Sequence, residues 1–156
     1  MTEKELSIVL REMARTQRKP LCDEWYGEWK DNCGVDILLN KYVRGIDFCI
    51  ENDYPSLDFI RRNFKKEDLH RHHIYLDEEV SLNESESGYY VFLGHCTGTA
   101  WFTGFVAVTI YMRHDSNIWI DAFDGARVMT MLYDKSKSKS RADRYSRVQT
   151  LDRRTQ

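Results

Sequence analysis

The chain lacks any continuous apolar run near the ~18–20 residues that a membrane-spanning helix requires. Its opening segment, MTEKELSIVLREMARTQ, is charged throughout and has no apolar centre. Neither a membrane span nor a secretory signal is expected. The four cysteines, Cys22, Cys33, Cys49 and Cys96, lie far apart with no CxxC spacing. That spacing argues against cysteine-ligated zinc and for reduced thiols in the cytoplasm. HExxH spacing and the glycine-rich nonapeptide that binds calcium are also missing. No catalytic residue, metal or cofactor is therefore expected, and the protein is expected not to be an enzyme.

What is present supports a real hydrophobic core. A chain of 156 residues, 42% apolar and 13% aromatic, fits one domain or a helical part joined to a β part. At this size folding removes roughly 68–70% of the unfolded chain's surface. The net charge of −2 conceals an asymmetry. Residues 135–156 carry eight Lys or Arg against Asp143 and Asp152, a balance of +6. The first 134 residues hold the other 15 of 23 basic and 23 of 25 acidic side chains, a balance of −8. An acidic body with a basic end bears on partners rather than on fold.

The first half reads as helices. Thr2 and Glu5 have capping-box spacing, and Leu6, Val9, Leu10 and Met13 then share one face of a helix over about 3–16. Lys19-Pro20 ends that run. A short helix follows with Cys22, Trp25 and Trp29 on one stripe. The clearest helix runs from Val35 to about Asn52, with a broad apolar stripe that includes Leu38, Leu39, Ile46 and Cys49. Gly45 inside it weakens the helix and permits close packing. Ser56 is a candidate N-cap for LDFIRRNF, and a last turn runs through KKEDLHRHH.

The second half repeats every ten residues. Val106, Ser116, Ala126, Ser136 and Ser146 form a column of mostly small residues. Val108, Ile118, Val128, Ser138 and Val148 form the next, then Ile110, Ile120, Thr130, Ser140 and Thr150. His114, Asp124, Asp134 and Arg144 occupy the turn column. Strands of alternating residues separated by polar turns explain this, with even-numbered side chains on one side. An antiparallel meander and a parallel β-solenoid with two repeats per coil both fit the period. Asp124-Gly125 suits a hairpin. The directional order within each repeat favours the solenoid, because parallel stacking sets each residue on its like. The expected architecture is thus α+β: a small helical bundle over 1–76, an acidic linker over 77–89, and a β-solenoid over 90–156. On that reading residues 136–150 are ordered strands rather than a basic tail.

Three groups of side chains are candidate sites. Tyr111, Trp119, Phe123, Met129, Met131 and Tyr133 fall on outward positions. They are expected to form an apolar face, covered by the helical half or by a partner. Lys137, Lys139, Arg141, Arg144, Arg147, Arg153 and Arg154 either protect the open edge of the last coils or contact nucleic-acid phosphates, with Tyr145 available for stacking. His70, His72 and His73 lie together without the spacing of a metal site, and Arg113-His114-Asp115 lacks a nucleophile. Ordinary helix-end and turn chemistry accounts for both.

GIDFCIENDYPSLDFI, LHRHHIYLDEEVSLN and IYMRHDSNIWIDAFDGARV together resemble a group of small bacterial and mobile-element proteins with a helical N-terminal part and decad β-repeats. The group has no assigned activity, so the resemblance carries over no functional residue. It implies the architecture above and an accessory role, such as one encoded by a phage. The leading expectation is a non-enzymatic protein-interaction module that binds a protein partner or a second copy. Nucleic-acid binding through the basic end is the alternative.

Overall fold

A computed structural model describes residues 1–154, and the chain divides into two units, Met1–His72 and His73–Gln156. The first holds α1 (Glu3–Arg15), α2 (Asp23–Glu28), α3 (Val35–Arg44), α4 (Ile46–Asn52), α5 (Leu57–Asn63) and α6 (Lys66–Arg71). The capping box is present: Glu5 N donates to Thr2 Oγ1 at 3.1 Å, and Thr2 N donates to Glu5 Oε2 at 2.8 Å. Leu6, Leu10 and Ala14 then turn inward one helical turn apart and pack with Leu38, Cys49 and Tyr54. Ser56 caps α5, accepting from Phe59 N.

The helix expected as one piece over Val35–Asn52 is two helices, broken at Gly45. A Cβ there would lie 3.1 Å from the Trp25 ring. The close approach anticipated at this glycine is therefore real, and its low helix propensity coincides with the break.

The second unit is a parallel β-solenoid. Its strands are β1 (Ile74–Leu76), β2 (Glu79–Glu84), β3 (Gly88–Leu93), β4 (Thr97–Thr103), β5 (Ala107–Met112), β6 (Asn117–Phe123), β7 (Arg127–Leu132), β8 (Lys137–Ala142) and β9 (Arg147–Asp152). Odd-numbered strands form a five-stranded sheet in the order β1-β3-β5-β7-β9. Even-numbered strands form a four-stranded sheet in the order β2-β4-β6-β8. Every pairing is parallel, which rules out the meander. From β3 onward each residue pairs with the one twenty positions later, as in Val108 with Val128 and Ile118 with Ser138. One decad is therefore half a coil.

The expected acidic linker over 77–89 is a correction. Residues 79–84 of it form β2, the first strand of the four-stranded sheet, and its last two residues open β3. Val80 is buried and Leu82 packs against the core, while Glu79 and Ser81 are exposed. The decad alignment missed this strand because the first coil is short. Glu79 pairs with Thr97 at an offset of eighteen, and Ile74 pairs with Val91 at seventeen. The β-unit accordingly starts at His73 rather than at residue 90. Gly98 makes the tight first coil possible: its φ is +116° and a Cβ would fall 2.0 Å from the Val80 carbonyl oxygen.

From β2 onward the solenoid core consists of even-numbered side chains from both sheets, including Tyr90, Phe92, Phe102, Ile110, Met112, Ile118 and Ile120. Tyr75 joins it because β1 pairs with β3 at an odd offset of seventeen. The core thins toward the C-terminal end. Ile120 gives way to Ser140 on the next coil, and Ala122 to Ala142. Ser140, Ala142 and Thr150 point inward by parity yet are exposed, so the last coil leaves the stack open. Residues 136–150 hold β8 and the first four residues of β9, as the repeat demanded.

Candidate functional site: the outer face of the four-stranded sheet

Corners between strands hold this face in register. His114, Asp124 and Asp134 take left-handed backbone conformations with φ of 55–58°, and Gly94 and Gly104 fill the same turn column. The side chains of His114 and Asp134 bind the preceding coil. Gly94 N donates to His114 Nδ1 at 2.9 Å, which puts the imidazole proton on Nε2 if the ring is neutral. His114 N in turn donates to Asp134 Oδ2 at 2.9 Å, and Arg113 Nε donates to the same oxygen at 3.1 Å. Partial burial works against ionisation of Asp134, but the His114 N–H and Arg113 overcome it and hold its carboxyl below the ordinary range. Asp124 N and Gly125 N donate to Asp143 Oδ2 and Ser146 Oγ, each at 2.9 Å. Beneath the turns, Ser116 and Ser136 are fully buried, and their hydroxyls donate to Gly94 O and Met112 O.

Arg113 and His114 are thus built into a corner. Asp115 faces His95 at 3.2 Å instead. Elsewhere His72 Nε2 lies 2.9 Å from Asp36, and His73 stacks on Tyr90 with ring centroids 4.3 Å apart. Among the described residues no three His, Cys, Asp or Glu side chains are grouped to hold a metal.

The apolar face expected from six outward residues is two faces. Met129 and Met131 lie with Tyr111 on the five-stranded sheet, with Tyr133 just beyond β7. Tyr111 is buried, its ring edge-on to Tyr89 at 5.6 Å and stacked with Tyr133 at 6.5 Å. Trp119 and Phe123 belong to β6 on the four-stranded sheet. Parity separates inside from outside, but a ten-residue step crosses to the opposite sheet.

On the four-stranded sheet the outward side chains make a distinct surface. Trp101 and Trp119 are 44% and 39% exposed, on adjacent coils and two positions apart in register. Trp101 meets Phe123 edge-on at 5.9 Å. Phe105, at the following corner, is 96% exposed. Below the aromatics, β8 presents Lys137, Lys139 and Arg141, in register with Asn117, Trp119 and Asp121. Arg141 also covers the Phe123 ring at 5.8 Å. Asp121 accepts from Trp119 Nε1 at 2.9 Å and from Arg141 Nε at 3.2 Å.

The other basic residues do not join that row. Arg144 sits in the corner after β8, over Tyr145 at 4.9 Å. Arg147 lies on the opposite sheet, in register with Arg127. Arg153 and Arg154 follow β9, and Arg154 Nη1 donates to Ser136 O at 3.0 Å. Arg154 helps to line a polar groove of about 570 Å³ with His95, Asp115, Lys135 and Lys137. The seven cations expected around the last coils thus lie on both sheets and at the corners. Sequence reasoning missed Trp101 and Phe105. Trp101 was legible: it has outward parity and stands twenty residues before Asp121.

The fold defines a class, a parallel β-solenoid with twenty-residue coils following a unit of six helices. No family model, no curated protein and no solved structure matches the chain.

Proposed function

We propose that this chain is a non-enzymatic interaction module whose docking surface for a protein partner is the outer face of the four-stranded sheet. One observation carries the reading. Trp101 and Trp119 stand exposed on adjacent coils, directly above a row of cations. Tryptophan and arginine are the side chains most enriched where interfaces concentrate binding energy. A solenoid sheet holds them rigidly, so little side-chain ordering is needed on binding. The cytoplasm suits a chain whose four cysteines are present as thiols. The resemblance noted in the sequence would make it an accessory protein of a phage or mobile element.

A photo-crosslinking residue placed at Trp119, and separately at Thr109 on the opposite sheet, tests this in the host cell. A discrete protein adduct from position 119 alone, lost when Trp101 becomes Ala, is the expected result. Equal labelling from both positions, or none from 119, removes the reading.

A second reading has its own support, since aromatic rings beside Lys137, Lys139 and Arg141 also suit single-stranded nucleic acid. It requires oligonucleotide binding that weakens steeply with salt and disappears when those three residues become Ser. No binding at ~50 mM salt ends it.

A further inference from the structure

The last coil ends in two strand edges with no neighbour among the described residues, those of β8 and β9. Their hydrogen-bonding groups are divided by parity. Lys137 N and Asp143 N donate upward to Ser116 O and Ala122 O on the preceding coil, and Arg147 N and Arg153 N do the same on the other sheet. In a parallel ladder the alternate residues then aim both N–H and C=O away from the stack. On β8 these are Ser138, Ser140 and Ala142. Residues 140 and 142 are exposed even though their side chains point inward.

The side chains between them are cationic. Lys137 and Lys139 are exposed, have no carboxylate partner among the described residues, and lie beside Asn117 and Trp119, neither of which is acidic. Successive outward residues on a strand are about 6.8 Å apart, so the cations match a ligand that repeats every second residue. A strand laid against this edge would sit about 4.8 Å away, with alternate side chains opposite Lys137, Lys139 and Arg141. Its other side chains would lie beneath Ser138, Ser140 and Ala142, where the core has become small and polar. A second copy of the same end would bring like charges together, since residues 135–156 carry +6.

We infer that the β8 edge binds an extended acidic polypeptide segment as an added strand, with Asp or Glu at every second position facing Lys137, Lys139 and Arg141. Main-chain hydrogen bonds supply affinity and the charge alternation supplies register. This inference rests on the docking role proposed for the outer face that β8 borders and specifies its partner.

The test uses the full chain and four fluorescent probes. These are a dodecapeptide of alternating Glu and Thr, its isomer with all Glu before all Thr, the alternating peptide N-methylated at every second residue, and a thymidine oligonucleotide of equal length. The alternating peptide is expected to bind at least about tenfold tighter than either modified peptide. Joint Lys137→Glu and Lys139→Glu substitution should abolish binding, whereas Arg147→Glu on the other sheet should not. These sites are exposed, and circular dichroism verifies that the variants fold.

Equal binding of the two isomers, or tolerance of N-methylation, overturns strand addition in favour of unordered charge attraction. Binding of the oligonucleotide alone transfers the face to nucleic acid. If no probe binds, the cations only protect an open edge and the inference fails. In each case crosslinking at position 119 separately decides whether the face docks a protein.

Discussion

Arg141 lies one coil below Asp121 on the outer face of the four-stranded sheet, in register, with its Nε 3.2 Å from Asp121 Oδ1. The two differ sharply in setting. The Asp121 side chain is 3% exposed and that of Arg141 is 63% exposed. A carboxylate buried on an outward position is tolerable because Arg141 and the Trp119 indole N–H both satisfy it. The pair also ties the aromatic part of the face to its cationic row.

Removing the charge at that junction should therefore act on the face as well as on stability. Asp121→Ala leaves the Trp119 N–H and the Arg141 guanidinium without their shared acceptor. A loss of about 1–3 kcal/mol in unfolding free energy is expected. Asp121→Asn, which keeps an acceptor oxygen, should lose less. Urea denaturation measures both, and equal effects would show that the hydrogen bonds contribute little.

Gly98 separates backbone strain from steric clash. Gly98→Ala should destabilise the solenoid by about 1–3 kcal/mol from the positive φ alone, and by more because its Cβ would strike the Val80 carbonyl. Gly88 also has a positive φ of 139°, but nothing lies within 4 Å of its would-be Cβ. Gly88→Ala serves as the control. A larger drop in melting temperature for Gly98→Ala isolates the clash, and identical drops would remove it.

Thr130 offers the opposite sign. Its hydroxyl is fully buried with no hydrogen-bond partner among the described residues, in the column that also holds Ile110. Thr130→Val replaces that hydroxyl with a methyl group of similar size and should stabilise the protein by roughly 1 kcal/mol. A calorimetric melting temperature at or below that of the parent would contradict this.

Acid should weaken the C-terminal coils. Asp134 titrates below its ordinary value of 3.8, and Asp152 is pulled down to about 2 by the Arg154 side chain and backbone N–H. A carboxyl depressed on folding contributes stability that is complete above its unfolded value and lost as pH falls through its folded one. Stability should thus decline between about pH 4 and pH 2. Asp134→Asn should show a shallower decline in that window, read from chemical denaturation at each pH. An unchanged slope would mean that Asp134 is not linked to folding.

The two halves of the chain were legible to different depths. Caps, breaks and stripes located the helices because they depend on neighbours three and four residues away. At Gly45 the approach of Trp25 from another helix is a contact that no local pattern shows. Alternation likewise revealed which solenoid residues point inward, down to Ser138 and Ser140 in a segment that resembles a basic tail. The faces were less legible. Trp119 and Met129 share parity and differ by one decad, yet they lie on opposite sheets. The strand at 79–84 escaped the repeat because a coil shortened by two or three residues breaks the spacing without altering the alternation that buries Val80.

Composition and periodicity thus suffice for helices followed by stacked strands, since both follow from the geometry of a single chain segment: 3.6 residues per helical turn, two per strand pleat. Coil closure after twenty residues determines which of those segments become neighbours. It brings Trp101, Trp119 and Lys139 onto one face, sets Asp121 above Arg141, and leaves β8 with an edge that no described strand pairs. Those relations arise from contacts between residues about twenty positions apart, which local pattern does not encode.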